Sequence, residues 1–110
     1  QAPPLRGALF ENMMVAEAFK QQYNHGQSQP ISFFRDSQGN EVDLLIETGA
    51  GLRAYEIKSA QTIGSDFFKG LDYLKKLNVP IASTHLIYGG EENQIRSSHK
   101  VQSWRTADFQ

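Results

Sequence analysis

Cysteine is absent from the 110-residue chain, which excludes disulfides, thiolate zinc sites and a cysteine nucleophile and leaves the redox compartment open. An excess of either charge is missing too, with 11 Lys and Arg against 12 Asp and Glu and a formal net charge of -1. No global positive field draws such a chain to nucleic acid or an anionic membrane, so any contact of that kind has to be local. No run approaches the roughly 18 apolar residues of a membrane span, and the opening Gln1-Ala-Pro-Pro-Leu-Arg-Gly7 lacks the basic and apolar pattern of a secretion signal. The expectation is a cytoplasmic chain without membrane contact. The phosphate loop G-x-x-x-x-G-K-[ST] is also absent, so ATP would be handled only through a region outside this chain. His25, His85 and His99 have no mutual zinc-ligand spacing, and no serine sits in a G-x-S-x-G elbow.

What is present is a globular composition, 39% hydrophobic, 11% aromatic and 21% charged, long enough for one core and too short for two. The Pro-Pro pair marks residues 1–6 as a linker from a preceding region and 7–110 as a single domain. Helix formers fill Gly7–Asn24, with Gly26 as the expected C′ residue. Leu9, Phe10, Met13, Met14, Val15, Ala16, Ala18 and Phe19 make this helix apolar nearly all round, which predicts that it is largely buried. After the connector Gln27-Ser-Gln-Pro30 come three β-like runs, Ile31–Asp36, Glu41–Glu47 and Leu52–Ser59. The turn segments Ser37–Asn40 and Thr48–Gly51 between them make these an antiparallel meander. A second helix starts at Ser65 and puts Phe67, Leu71, Leu74 and Leu77 on one stripe, with Lys75 and Lys76 at its end and Pro80 beyond. Thr84–Tyr88 reads as a further strand and Gln94–Trp104 as a weaker alternating run, so the order is α-β-β-β-α-β.

The Thr48–Gly51 turn sets a register. If Glu47 pairs with Leu52, Asp43 falls opposite Glu56, with Glu41 and Lys58 next along the same face and Val42, Leu44, Ile46, Tyr55 and Ile57 on the other. Like charges facing each other at about 4.5–5.5 Å between Cβ atoms destabilise a ladder unless a positive group lies between them. Lys58 is one candidate and a divalent cation another, since Mg²⁺ takes one or two carboxylates plus water and substrate phosphate. On spacing alone the four charges are equally an ordinary solvated sheet face. Glu11 favours a site: on an otherwise apolar helix face with Val15 and Ala18, its carboxylate requires a partner, either the Asp43–Glu56 pair or a backbone N–H. Arg35, at a strand end beside Asp36, is a candidate phosphate contact or a local structural residue. Lys69, Lys75 and Lys76 read as the solvated side of a helix or as phosphate contacts. Trp104 reads as a late core or edge residue.

Gly7-Ala-Leu-Phe-Glu11, Phe34-Arg-Asp36, Glu41-Val-Asp43-Leu-Leu-Ile46 and Tyr55-Glu-Ile-Lys58-Ser59, in this order, resemble the PD-(D/E)XK nuclease-like domain. The likeness is to the uncharacterised type found at the C-terminus of bacterial and archaeal AAA-type ATPases. It spans Gly7 to about Gly90 and implies a restriction-endonuclease-like core, a mixed sheet flanked by helices. By that resemblance Asp43 and Glu56 bind Mg²⁺ or Mn²⁺, Glu11 completes or supports the shell, and Lys58 orients or activates the attacking water. Val42 stands where the motif's name has proline, and Lys69 where nuclease relatives often carry glutamine. The implied function is Mg-dependent cleavage of DNA or RNA phosphodiesters beside a covalently linked ATPase domain. The alternative is a non-catalytic regulatory or protein-interaction domain of that ATPase, which the near-neutral charge favours. Oligomeric state has no signature in the sequence.

Overall fold

Helix α1, Pro4–Asn24, opens the structure, a computed structural model that describes residues 4–26 and 29–110. It starts before the expected Gly7, so residues 4–6 of the expected linker form its first turn, where the N–H that proline lacks has no helical partner anyway. Residues 1–3 of that linker, and Gln27-Ser28 of the connector, lie outside the described residues. Gly26 closes the helix at φ 66°, its N–H on the Tyr23 carbonyl at 3.1 Å, in the left-handed conformation expected of C′.

The meander follows as β1 (Ile31–Arg35), β2 (Glu41–Thr48) and β3 (Gly51–Lys58), antiparallel throughout. Asp36 organises the first turn by accepting from Gln38 N at 3.0 Å and from Asn40 N at 2.9 Å. In the second turn Thr48 Oγ1 donates to Gly51 O at 2.7 Å. A 3₁₀ turn, Ser65–Phe68, leads into α2, Lys69–Lys76, so the second helix is shorter than its apolar stripe implied and Leu77 already caps it. Strand β4, Ile81–Tyr88, begins directly after Pro80, earlier than the expected Thr84. The weak Gln94–Trp104 run is a hairpin: β5 (Gln94–Arg96) and β6 (His99–Ser103) flank a turn in which Ser97 and Ser98 have φ of 50° and 71°.

The six strands form one mixed sheet in the order β1-β2-β3-β4-β6-β5, with β3, β4 and β6 mutually parallel. Both faces are covered, as parallel sheets require. On one, α2 supplies Leu71 and Leu74, which pack with Phe68 against Val42, Leu45, Ala54, Leu86 and Val101. On the other, Met14 and Ala18 of α1 join Phe109 over Leu44, Ile46, Tyr55, Ile57 and Ile87. The chain end is tied down there, since the Phe109 carbonyl accepts from Gln22 Nε2 at 2.7 Å and from the Arg53 guanidinium at 2.6 Å.

Two expectations are corrected. Helix α1 is not largely buried: Leu9, Met13, Phe19 and Tyr23 are exposed, because only the side bearing Met14, Ala18 and Gln22 meets the sheet. The sheet is not apolar on one face and charged on the other, since Leu45 and Ala54 carry a second core. No helix among the described residues is long and apolar enough to cross a membrane.

Candidate functional site

The β2–β3 register is the one the turn dictates, from Thr48↔Gly51 through Leu44↔Tyr55. On its other edge β2 is irregular: Ser32 pairs with Leu45 but Phe34 with Val42, so Phe33 opposes both Asp43 and Leu44. This β-bulge breaks the alternation. Val42 therefore joins Leu45 in the α2-side core, while Leu44 and Ile46 keep to the α1 side. Asp43 stands at the bulge, where the strands part, and its Oδ2 accepts a hydrogen bond of 2.8 Å from Ile57 N. A carboxylate thus takes a ladder donor at the mouth of the gap, a charge-assisted bond stronger than a neutral one.

Two glutamates reach Asp43 from different directions. Glu56, only 5% exposed, lies on the α2 side, where a Cβ at Gly70 would come within 3.3 Å of its Oε2. Glu11 comes from α1, whose Gly7, one turn earlier, passes near Ser59 at the end of β3. The Asp43 carboxylate acts on the charge of both glutamates. Asp43 and Glu56 stand on the neighbouring antiparallel strands β2 and β3, and Asp43, at the bulge, lines a cleft with Glu11.

The electrostatics follow from that convergence. Burial, then the Asp43 carboxylate and then Glu41, push the Glu11 carboxyl above its ordinary range. Burial and the hydrogen bond and charge of Asp43 push Glu56 up as well, and Lys58 opposes the rise at both sites. Carboxylates crowded this way share a proton or hold a cation. Among the described residues, no three His, Cys, Asp or Glu side chains are grouped closely enough to hold a metal ion between them. The acids form two pairs with Asp43 in common, leaving most positions around an ion to water or substrate.

Lys58, half-buried, has its Nζ 5.6 Å from the Phe67 ring centroid. It lines a cleft of about 160 Å³ with Glu41, Glu56, Asp66, Gly70 and Lys69, the last at the first position of α2. A wider groove continues along α2 past Asp72 and Tyr73 to Lys76. Arg35 pairs not with Asp36 but with Glu41, Nε to Oε2 at 3.4 Å, because Asp36 is engaged in its turn. Glu56, Lys58 and Lys69 therefore line one cleft and Glu11, Asp43 and Arg35 the neighbouring one, with Glu41 on both.

Sequence reasoning missed two residues. Gly70 lets α2 lie against β2, for a Cβ there would collide with the Glu41 carbonyl oxygen; its one signal is a glycine inside an amphipathic helix. His99, fully buried, bridges Asp72 Oδ1 at 2.8 Å and Thr84 Oγ1 at 2.7 Å and stacks on Phe68, with no signal in sequence spacing.

Comparison with known proteins yields one family: the profile described as Domain of unknown function (DUF4143) matches residues 6–107. No curated protein and no solved structure matches. The chain belongs to the DUF4143 family.

Proposed function

For this member of the family we propose a metal-dependent nuclease domain that cleaves nucleic-acid phosphodiesters and works beside an ATPase domain of the full-length protein. The observation that carries the reading is the influence of the Asp43 carboxylate on both Glu11 and Glu56, with Lys58 on the cleft that Glu56 lines. The donor set suits a hard divalent cation: all donors are oxygen, and the mutual repulsion that raises the glutamates is relieved by positive charge. Asp43 and Glu56 would hold Mg²⁺ or Mn²⁺, with Glu11 as support. Such an ion polarises a phosphoryl oxygen and lowers the pKa of bound water. Asp43 is fixed by the Ile57 N–H, so its carboxylate faces the gap without reorganisation. Lys58 supplies a positive charge on the open side of the cleft, where it orients water and offsets charge on the phosphorane. Lys69 stands on the cleft as a phosphate contact, whereas Arg35 is paired with Glu41 on the neighbouring one. The resemblance in motif order to PD-(D/E)XK domains supports both the chemistry and the ATPase neighbour.

A second reading, a non-catalytic interaction domain, is favoured by the open acid cluster and the lack of a basic excess. The deciding experiment is nicking and degradation of single-stranded, duplex and branched DNA, and of RNA, with Mn²⁺, using full-length protein. Cleavage is expected, and Lys58→Ala should reduce it by about 10²–10³-fold, the usual loss on removing one electrostatic stabiliser, with the fold intact. Inactivity on every substrate, or cleavage that survives Lys58→Ala, overturns the proposal.

A further inference from the structure

Phe33 is unexplained by the core and by the acid site. It lies on edge strand β1 between Ile31, which packs into the α1-side core, and Arg35, and it is 63% exposed. It forms one wall of a cleft of about 240 Å³, whose other walls include Glu11, Asn12 and Val15 of α1 and Asp43 of β2. The Arg35 guanidinium stands 5.4 Å from the Phe33 ring centroid, and Glu41 holds it there at 3.4 Å. An exposed ring with a guanidinium over one face suits an unpaired nucleobase at the shelf they form, since every base offers a π face and stacking needs no particular sequence. A base inside a duplex has both faces occupied by its neighbours.

We propose that Phe33 and Arg35 form a stacking shelf for one unpaired nucleobase, of a single strand or a frayed end, immediately beside the Asp43, Glu56 and Lys58 site. The inference rests on the nuclease reading of that site and names its substrate class as single-stranded nucleic acid. The charges around the cleft select the base over the backbone. Without a metal ion Glu11, Glu41 and Asp43 repel phosphate, whereas the ring, Val15 and the Asn12 amide accept a flat heterocycle with a polar edge. A chain of net charge -1 gains little from phosphate neutralisation, and stacking supplies affinity without a basic stripe.

The test uses a single-stranded DNA carrying 2-aminopurine, bound to full-length protein in EDTA so that neither metal nor turnover is needed. Wild type is expected to quench the probe, with a shallow dependence on salt, and to bind the matching blunt duplex about tenfold more weakly. Phe33→Ala should lose the quench and about tenfold in affinity, and Phe33→Trp should restore both. Phe33→Ala that binds and quenches as wild type does, or equal affinity for duplex and single strand, overturns the shelf while cleavage by wild type would leave the nuclease reading standing. A wild type that quenches and cleaves nothing overturns the nuclease reading and keeps the shelf. A wild type without any quench overturns the shelf and leaves Phe33 to a protein contact.

Discussion

Replacing Gly70 by alanine tests whether the approach of α2 to β2 builds the site. In an exposed helix interior this change is favourable by roughly 1 kcal/mol, because alanine loses less backbone entropy. At Gly70 the new methyl would meet the Glu41 carbonyl oxygen, a main-chain atom of a paired strand that cannot rotate aside, and would crowd Glu56 Oε2 at 3.3 Å. Overpacking of this kind costs about 1–3 kcal/mol, so the clash outweighs the propensity gain. Because the atom met is main chain, the upper half of that range, about 2–3 kcal/mol, applies, and the expected net loss is about 1–2 kcal/mol, a fall in Tm of roughly 5–10 °C for a chain of this size. Gly49→Ala is the control, since nothing lies within 4 Å of a Cβ at Gly49 and its φ is not left-handed. It should leave Tm unchanged or slightly higher. Thermal melts followed by circular dichroism read both variants. Because α2 carries Lys69 and abuts Glu56, Gly70→Ala should also blunt any stabilisation by Mn²⁺. A Gly70→Ala protein that melts at or above wild type would refute the reasoning.

Two further outcomes follow from the same packing. Mg²⁺ or Mn²⁺ at a hundred times its Kd should stabilise wild type by about 2.7 kcal/mol; Asp43→Asn should abolish that gain while keeping an acceptor for Ile57 N, whereas Asp43→Ala should cost about 1–3 kcal/mol by leaving that N–H bare. Identical metal responses in wild type and Asp43→Asn would refute it, and melts with metal and with EDTA decide. His85 is 5% exposed and stacked on Tyr55, and burial, then the charges of Lys100 and Arg53, push its pKa down to about 4. With the folded value below the unfolded one, its contribution is complete above about pH 6.5 and is lost as pH falls toward 4, on the order of 3 kcal/mol in all. Denaturant melts across that window should therefore show a steeper acid loss for wild type than for His85→Gln, and parallel curves would contradict the assignment.

Local chemistry made much of this legible in sequence. The Thr48–Gly51 turn set the β2–β3 register because a short hairpin leaves little choice of pairing. Gly26 ended α1 and Pro80 separated α2 from β4, since both act through the backbone of their own segment. The Ser97-Ser98 turn was not legible, because positive φ is read from Gly, Asn or Asp and serine does not announce it. Nor was the bareness of half of α1, which depends on how few elements cover it.

The candidate site divides the same way. Spacing alone put Glu56 and Lys58 on one side of β3 and drew Asp43 to the same strand pair. Tertiary structure decided the rest: the bulge opposite Phe33 at which Asp43 stands, Gly70 that lets α2 lie against Glu56, and the seating of α1 that puts Glu11 on the same cleft as Asp43. Periodicity counts residues within a segment and therefore finds faces and turns. The placing of Glu11 and Glu56 around Asp43 depends on an interruption in one ladder and on the closeness of two helices to it, which are set by packing between segments far apart in the chain.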